Sequence, residues 1–212
     1  MRRYLYKNAM IAASTAARIF FRNDDAFSPL VGTATLSFLN IGNGQTTLVS
    51  SYPVNLAQGA AVSSWACANA SVNVITTACP GWPSLLSANN CATDGSDCIA
   101  LLAIHNSAGD VIVDNFELLT DPFAMTLPAA NVTFSIGATS PDGTVPITLS
   151  TDKTALFVTM TTLAQGRFSD NAIFMSPEQP TIVSFIPWAP LDSALLASSL
   201  RVEHLATYPM NV

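Results

Sequence analysis

The sequence predicts an all-β protein, two tandem β-sandwiches preceded by a short N-terminal helix. Three observations carry this expectation. Apolar and polar residues alternate over short runs, as in Thr33 to Ile41, where Ala34, Leu36 and Phe38 interleave with Thr33, Thr35 and Ser37, so that one face of a strand can be buried. Turn chemistry punctuates the runs at Gly42-Asn43-Gly44, Gly109-Asp110 and Ser140-Pro141-Asp142-Gly143. The 212 residues, 50% hydrophobic and only 10% charged, supply apolar material for two small cores and too few charges for a disordered chain.

The N-terminal segment opens as Met1-Arg2-Arg3 and runs through the alanine-rich stretch Ala9 to Ala17. That layout imitates a secretory leader, but Lys7 and Asn8 interrupt what would be its apolar centre, so no convincing signal peptide is read here. Tyr4, Lys7, Asn8 and Ile11 fall at helical spacing, and residues 1–18 are expected to form a helix. Strands are then expected over Ile19 to Arg22, Thr33 to Ile41, Thr46 to Tyr52 and Ala60 to Cys67. From Pro80 to Cys98 no period is sustained, which reads as a loop wrapped on the sandwich with one short helix over Ser84 to Ala88. Ile99 to Asn106 and Val111 to Leu119 complete the first sandwich, residues 19–119.

Residues 120–212 form the second sandwich in this reading. Its strands are Asn131 to Ala138, Val145 to Ser150, Ala155 to Thr162, Ala172 to Met175, Thr181 to Ile186 and Ser199 to Leu205, a close succession of short segments that only a sandwich accommodates. Val132, Phe134, Ile136, Ile147, Leu149, Phe157, Phe174, Phe185 and Val202 are its expected core. Gly166-Arg167-Phe168-Ser169-Asp170-Asn171 is expected to be a structural turn. Gly166 would give a permissive backbone, Phe168 a buried ring, Asp170 and Asn171 local hydrogen bonds, and Arg167 an ion pair across the loop.

Charge narrows the partners. Net charge is −6, and no lysine or arginine lies between Arg22 and Lys153. A nucleic acid or an anionic membrane would find little to neutralise its phosphates there, so neither is expected as a partner. No stretch approaches the roughly 18 apolar residues of a membrane span.

Cys67, Cys79, Cys91 and Cys98 are even in number, with 11, 11 and 6 residues between neighbours, and none forms a CxxC pair. With only His105 and His204 in the chain, zinc-ligand spacing is absent and disulfides in an oxidising compartment are the expectation. Three pairings are open; proximity in sequence favours Cys67 with Cys79 and Cys91 with Cys98. The triplets beginning at Asn69 and Asn131 are glycosylation candidates and fit a secretory route.

Catalytic patterns are missing. Retaining glycosidases need two carboxyl groups about 5 to 5.5 Å apart. The only glutamates are Glu117, Glu178 and Glu203, none in such a setting, and Glu203 and His204 are strand neighbours that point to opposite faces. No nucleophile elbow, phosphate loop or dinucleotide fingerprint occurs, so no cofactor or metal is expected and no residue is assigned to catalysis. Trp82, between Gly81 and Pro83, offers a ring that could stack on a sugar, against a structural role as the other reading; Trp65 and Trp188 read as packing or inter-domain anchors.

The Gly166–Asn171 run, the apolar strands on either side of it, Ile182 to Phe185, Pro187-Trp188 and the Ser199–Tyr208 segment together resemble the C-terminal immunoglobulin-like domain of lysosomal-type β-mannosidases. Cys91 to Cys98, the strand from Ile99 and Asn115-Phe116 are similar to the end of the preceding sandwich in that family, before a loop that here reads Thr120-Asp121-Pro122, and the N-terminal segment is similar to the last barrel helix. One departure stands out: Ala172 and Ile173 follow the Asn where Gly and Phe are common. The resemblance implies two immunoglobulin-like sandwiches, at 19–119 and 120–212, after a helical remnant of the catalytic domain at 1–18. It implies a lysosomal or secreted enzyme that releases terminal non-reducing β-linked mannose from glycoprotein oligosaccharides. It also implies a catalytic barrel as partner, with an oligosaccharide as a further partner class. A free-standing secreted carbohydrate-binding or immunoglobulin-like interaction module is the competing expectation.

Overall fold

The computed structural model describes residues 8–65, 81–177 and 179–208. The chain divides into two compact units, with the main passage from one to the other at Thr126–Leu127.

The first unit packs two antiparallel sheets. One has the order β1-β2-β5, from β1 (Ala9–Ala13), β2 (Arg18–Asn23) and β5 (Ala61–Trp65). The other has the order β4-β3-β6-β7, from β3 (Leu30–Asn40), β4 (Thr46–Leu56), β6 (Cys98–His105) and β7 (Val111–Leu118). Here the N-terminal expectation is corrected: Ala9 to Ala13 is a strand, paired with β2 from Ala9↔Asn23 to Ala13↔Ile19, and residues 1–7 lie outside the described residues. Alanine favours helix by only a fraction of a kcal/mol over most residues. A full ladder with β2 and the burial of Ala9 and Ile11 outweigh that preference. The hairpin turn is closed by the Ser14 N–H to Arg18 O bond at 2.9 Å.

Alternation places Ile11, Ile19 and Phe21 from the first sheet against Ala34, Leu36, Phe38, Leu102 and Ile104 from the second. Each fully buried side chain of this size stabilises the fold by roughly 1.5–3 kcal/mol. Helix α1 (Trp82–Ala88) appears where a short helix was expected and plugs one end of the core with Leu85 and Leu86. At the end of β2 the buried Asn23 donates to Ser28 O at 2.9 Å and Ala57 O at 3.2 Å, tying two chain segments that lack a ladder of their own.

The second unit is also a sandwich. Its four-stranded sheet has the order β11-β13-β9-β8, from β8 (Val132–Ile136), β9 (Val145–Thr151), β11 (Gly166–Phe168) and β13 (Thr181–Pro187). Its three-stranded sheet has the order β12-β10-β14, from β10 (Ala155–Thr161), β12 (Ile173–Met175) and β14 (Arg201–Glu203). Ile147, Leu149 and Phe185 are fully buried as expected, and Val132, Ile136 and Val202 are packed at the core margin.

Three aromatic positions differ from expectation. Phe134 on the outermost strand β8 stays 40% exposed. In β12 the phase is opposite to the expected one, with Ile173 and Met175 buried and Phe174 only partly so. Phe157 sits where the β10–β12 register shifts and takes φ 52°, so Val158 and Met160 face the core in its place. A further element, helix α2 (Ser193–Ser199), was not expected; Asp192 caps it by accepting from Leu195 N at 2.9 Å, and Leu196 and Leu200 are buried. It shortens the last strand, which begins at Arg201 instead of Ser199.

Candidate functional site

Among the described strands, β1 has β2 as its backbone partner on one edge and none on the other. Side chains of β7 meet that edge. Asn115 Nδ2 donates to Ile11 O at 3.0 Å, and Ala13 N donates to Glu117 Oε1 at 3.4 Å. Residues two apart on a strand share a face, so Asn115 and Glu117 present a donor and an acceptor, respectively, to β1 at matching spacing.

Beside this junction lies a cleft of about 580 Å³, entirely within the first unit. The end of β1 and its turn supply Ala13, Ser14 and Thr15; α1 supplies Trp82, Pro83 and Leu86; β7 and the residue after it supply Glu117, Leu118 and Leu119. Its walls are therefore mostly apolar, with hydroxyls at the rim and one carboxyl group. Glu117 is half-buried. Loss of water pushes its carboxyl above the ordinary glutamate range, and the Ala13 N–H draws it only partly back. No basic side chain acts on it among the described residues.

Trp82 closes the floor of the cleft. It is only 8% exposed; its indole N–H donates to Ser14 O at 2.7 Å, and its ring packs on Phe38 with centroids 6.2 Å apart. A stacking platform for a sugar needs an open ring face, so the structure favours the structural reading of Trp82 over the sugar-stacking one: the residue is a packing anchor. Trp188 is the converse. It was expected to hide its area, yet it is 72% exposed. The side chain of Trp65 lies outside the described residues.

Cys91 and Cys98 form a disulfide, as proximity in sequence suggested, and it pins the loop between α1 and β6. Asp97 lies close enough to both sulfurs for the three to resemble a metal cluster. The sulfurs are committed to each other, however, and Asp97 Oδ1 accepts from Ala92 N at 2.7 Å, so the trio staples the loop. Cys67, Cys79 and Asn69 lie outside the described residues. Asn131 is described and exposed, just ahead of β8.

The Gly166–Asn171 segment is a strand followed by a turn, not a turn alone. Gly166–Phe168 pairs with β13, from Gly166↔Pro187 to Phe168↔Phe185, and the Phe168 and Phe185 rings meet edge-on at 5.5 Å. Gly166 is required for space, not for its dihedral angles: a methyl group there would lie 2.6 Å from Ile186 O and 2.8 Å from Phe185 Cε2. Arg167 is exposed, and Asp170 Oδ1 accepts from Asn171 N at 2.8 Å, the local side-chain to backbone bond expected of this turn. Asn171 Oδ1 accepts from Met160 N at 2.7 Å while its Nδ2 donates to Met160 O at 3.0 Å.

Glu117 belongs to the first unit and Glu203 to the second, while Glu178 lies outside the described residues. Glu117 lines the cleft, and no other carboxyl group among the described residues lines it. Sequence reasoning dismissed it because it looked only for paired carboxylates; a lone acid on a strand, two residues after an Asn, gives no local sign that it will border a cleft with a helix more than thirty residues away.

Residues 127–208 match the family model Ig_mannosidase, an Ig-fold domain, so the C-terminal region is an Ig-like domain of the kind found in mannosidases. Among solved structures, the chain is similar to the β-D-mannosidase of Dictyoglomus thermophilum, with a TM-score of 0.60 and 16% sequence identity. The likeness covers 92% of this chain and 21% of that enzyme, and at this identity it speaks to fold alone. No curated protein matches the chain.

Proposed function

From the Ig-like domain at residues 127–208, we propose that the chain is the non-catalytic C-terminal β-sandwich region of a β-mannosidase-like glycoside hydrolase. The match of that domain to mannosidases is the observation that carries the reading. The whole enzyme would release terminal non-reducing β-D-mannose during glycoprotein oligosaccharide breakdown, and the two sandwiches would brace its catalytic barrel. A secreted or lysosomal setting is supported by the Cys91–Cys98 disulfide, and occupancy of Asn131 by glycan fits its exposure.

The chemistry supports an accessory role. Hydrolysis with retention needs a nucleophile and an acid–base carboxyl group within one cleft, and Glu117 has no such companion. The test is an assay of the purified 212-residue chain on a chromogenic β-mannoside, joined to sequencing of the genomic DNA upstream of Met1. The expected result is no turnover and an in-frame barrel. Measurable sugar release by this polypeptide would overturn the proposal.

A further inference from the structure

The cleft beside Glu117 has a feature that packing alone does not call for. A carboxylate that is half-buried, held by one long 3.4 Å bond from Ala13 N and meeting no cation among the described residues, is slightly destabilising at neutral pH. A glutamine would keep the bond to Ala13 without that cost. A single carboxyl group set among apolar walls, in a cleft of about 580 Å³, points to a binding site.

The walls and the charge define the ligand. A divalent cation such as calcium takes roughly six to eight oxygen ligands, and a single carboxyl group cannot provide them. A sugar would need an open aromatic face, and the ring of Trp82 is occupied by Phe38. What remains is a small organic ammonium: its charge would neutralise Glu117 where water is scarce, and its hydrocarbon stem would lie on Leu86, Leu118 and Leu119, with Ser14 and Thr15 at the rim. Among the described residues of the unit no side chain supplies that cation: neither Arg18 nor Arg22 acts on Glu117, and Arg22 pairs with Asp24 at 2.5 Å.

We infer that the β1–α1–β7 cleft binds a primary alkylammonium, with Glu117 as the charge partner and the leucine wall as the seat of its stem. This site is independent of any role in bracing a barrel.

The probe is n-pentylammonium, titrated into the full 212-residue chain and followed by the indole N–H resonance of Trp82, which borders the cleft. The control is n-pentanol, which has the same stem and no charge. A saturable shift is expected, with the ammonium binding at least tenfold more tightly than the alcohol. Glu117→Gln should remove that tenfold preference while leaving the weak response to the alcohol in place. The proposal fails if the ammonium gives no saturable shift, if ammonium and alcohol bind the wild-type chain alike, or if a folded Glu117→Gln chain binds the ammonium as the wild type does. The comparison of the two probes on the wild-type chain decides the matter even should the variant not fold.

Discussion

Asn171 does the work of a strand for Met160. Its side-chain amide takes both backbone groups of that residue, accepting from Met160 N at 2.7 Å and donating to Met160 O at 3.0 Å. Met160 itself is buried, so its backbone groups have little water to turn to. Asn171→Ala leaves a donor and an acceptor orphaned, which costs about 1–3 kcal/mol for each group that water does not reach. We expect a loss of roughly 2–4 kcal/mol, measured by urea denaturation. Asn171→Asp should recover only part of it, because an ionised carboxylate accepts but cannot donate.

Ala172, next in the chain, is held at φ 57°. An L-residue in this region is strained by roughly 1–2 kcal/mol, whereas glycine adopts it freely. Ala172→Gly is therefore expected to stabilise the second unit, by about 0.5–1 kcal/mol once the greater freedom of glycine in the unfolded chain is subtracted. Thermal unfolding of the two proteins side by side checks the sign; a lower midpoint for the glycine variant contradicts the argument.

Gly166 answers to a different constraint. Its Cβ position is filled by Phe185 and the Ile186 carbonyl, so Gly166→Ala must push β11 away from β13 or turn the Phe185 ring out of its contact with Phe168. Overpacking of this kind costs about 1–3 kcal/mol. The expected signature is a lowered denaturation midpoint with an altered Phe185 environment by NMR.

Glu117 sets a pH dependence of stability. Burial raises its carboxyl in the folded chain above the ordinary unfolded value, so the folded state holds the proton more tightly. Below the ordinary glutamate range the group is neutral in both states and carries no penalty. As pH rises through the raised folded value, the charged form is disfavoured in the fold and stability falls. Glu117→Gln should match the wild type near pH 3.5 and exceed it at pH 7 by under about 1 kcal/mol, since solvent reaches half of the group. Parallel urea melts at the two pH values measure this, and an equal gap at both would refute it.

Strands and turns were largely legible because their determinants are local. Alternation between Thr33 and Ile41 sets the face of β3, and Gly42-Asn43-Gly44 and Asp142-Gly143 end strands through backbone conformations that few other residues adopt. The N-terminal strand was not legible, since Ala9–Ala13 has helical composition and becomes a strand only by pairing with Arg18–Asn23. The phase of Ile173–Met175 was lost because three residues hold too little period to assign a face, and the shift of register at Phe157 is invisible until its partner strand is known. The cleft was the least accessible feature: Ala13 and Glu117 meet across 104 positions, and Ser14 and Trp82 across 68.

The bonds from Asn115 and Glu117 to β1 have a consequence for solubility. An open sheet border carrying bare amide and carbonyl groups invites a neighbouring molecule to add a strand, the first step toward fibrillar aggregates. Here the Ile11 carbonyl and the Ala13 amide are already occupied by side chains that cannot continue a ladder, so two groups of that border are withdrawn from templated growth.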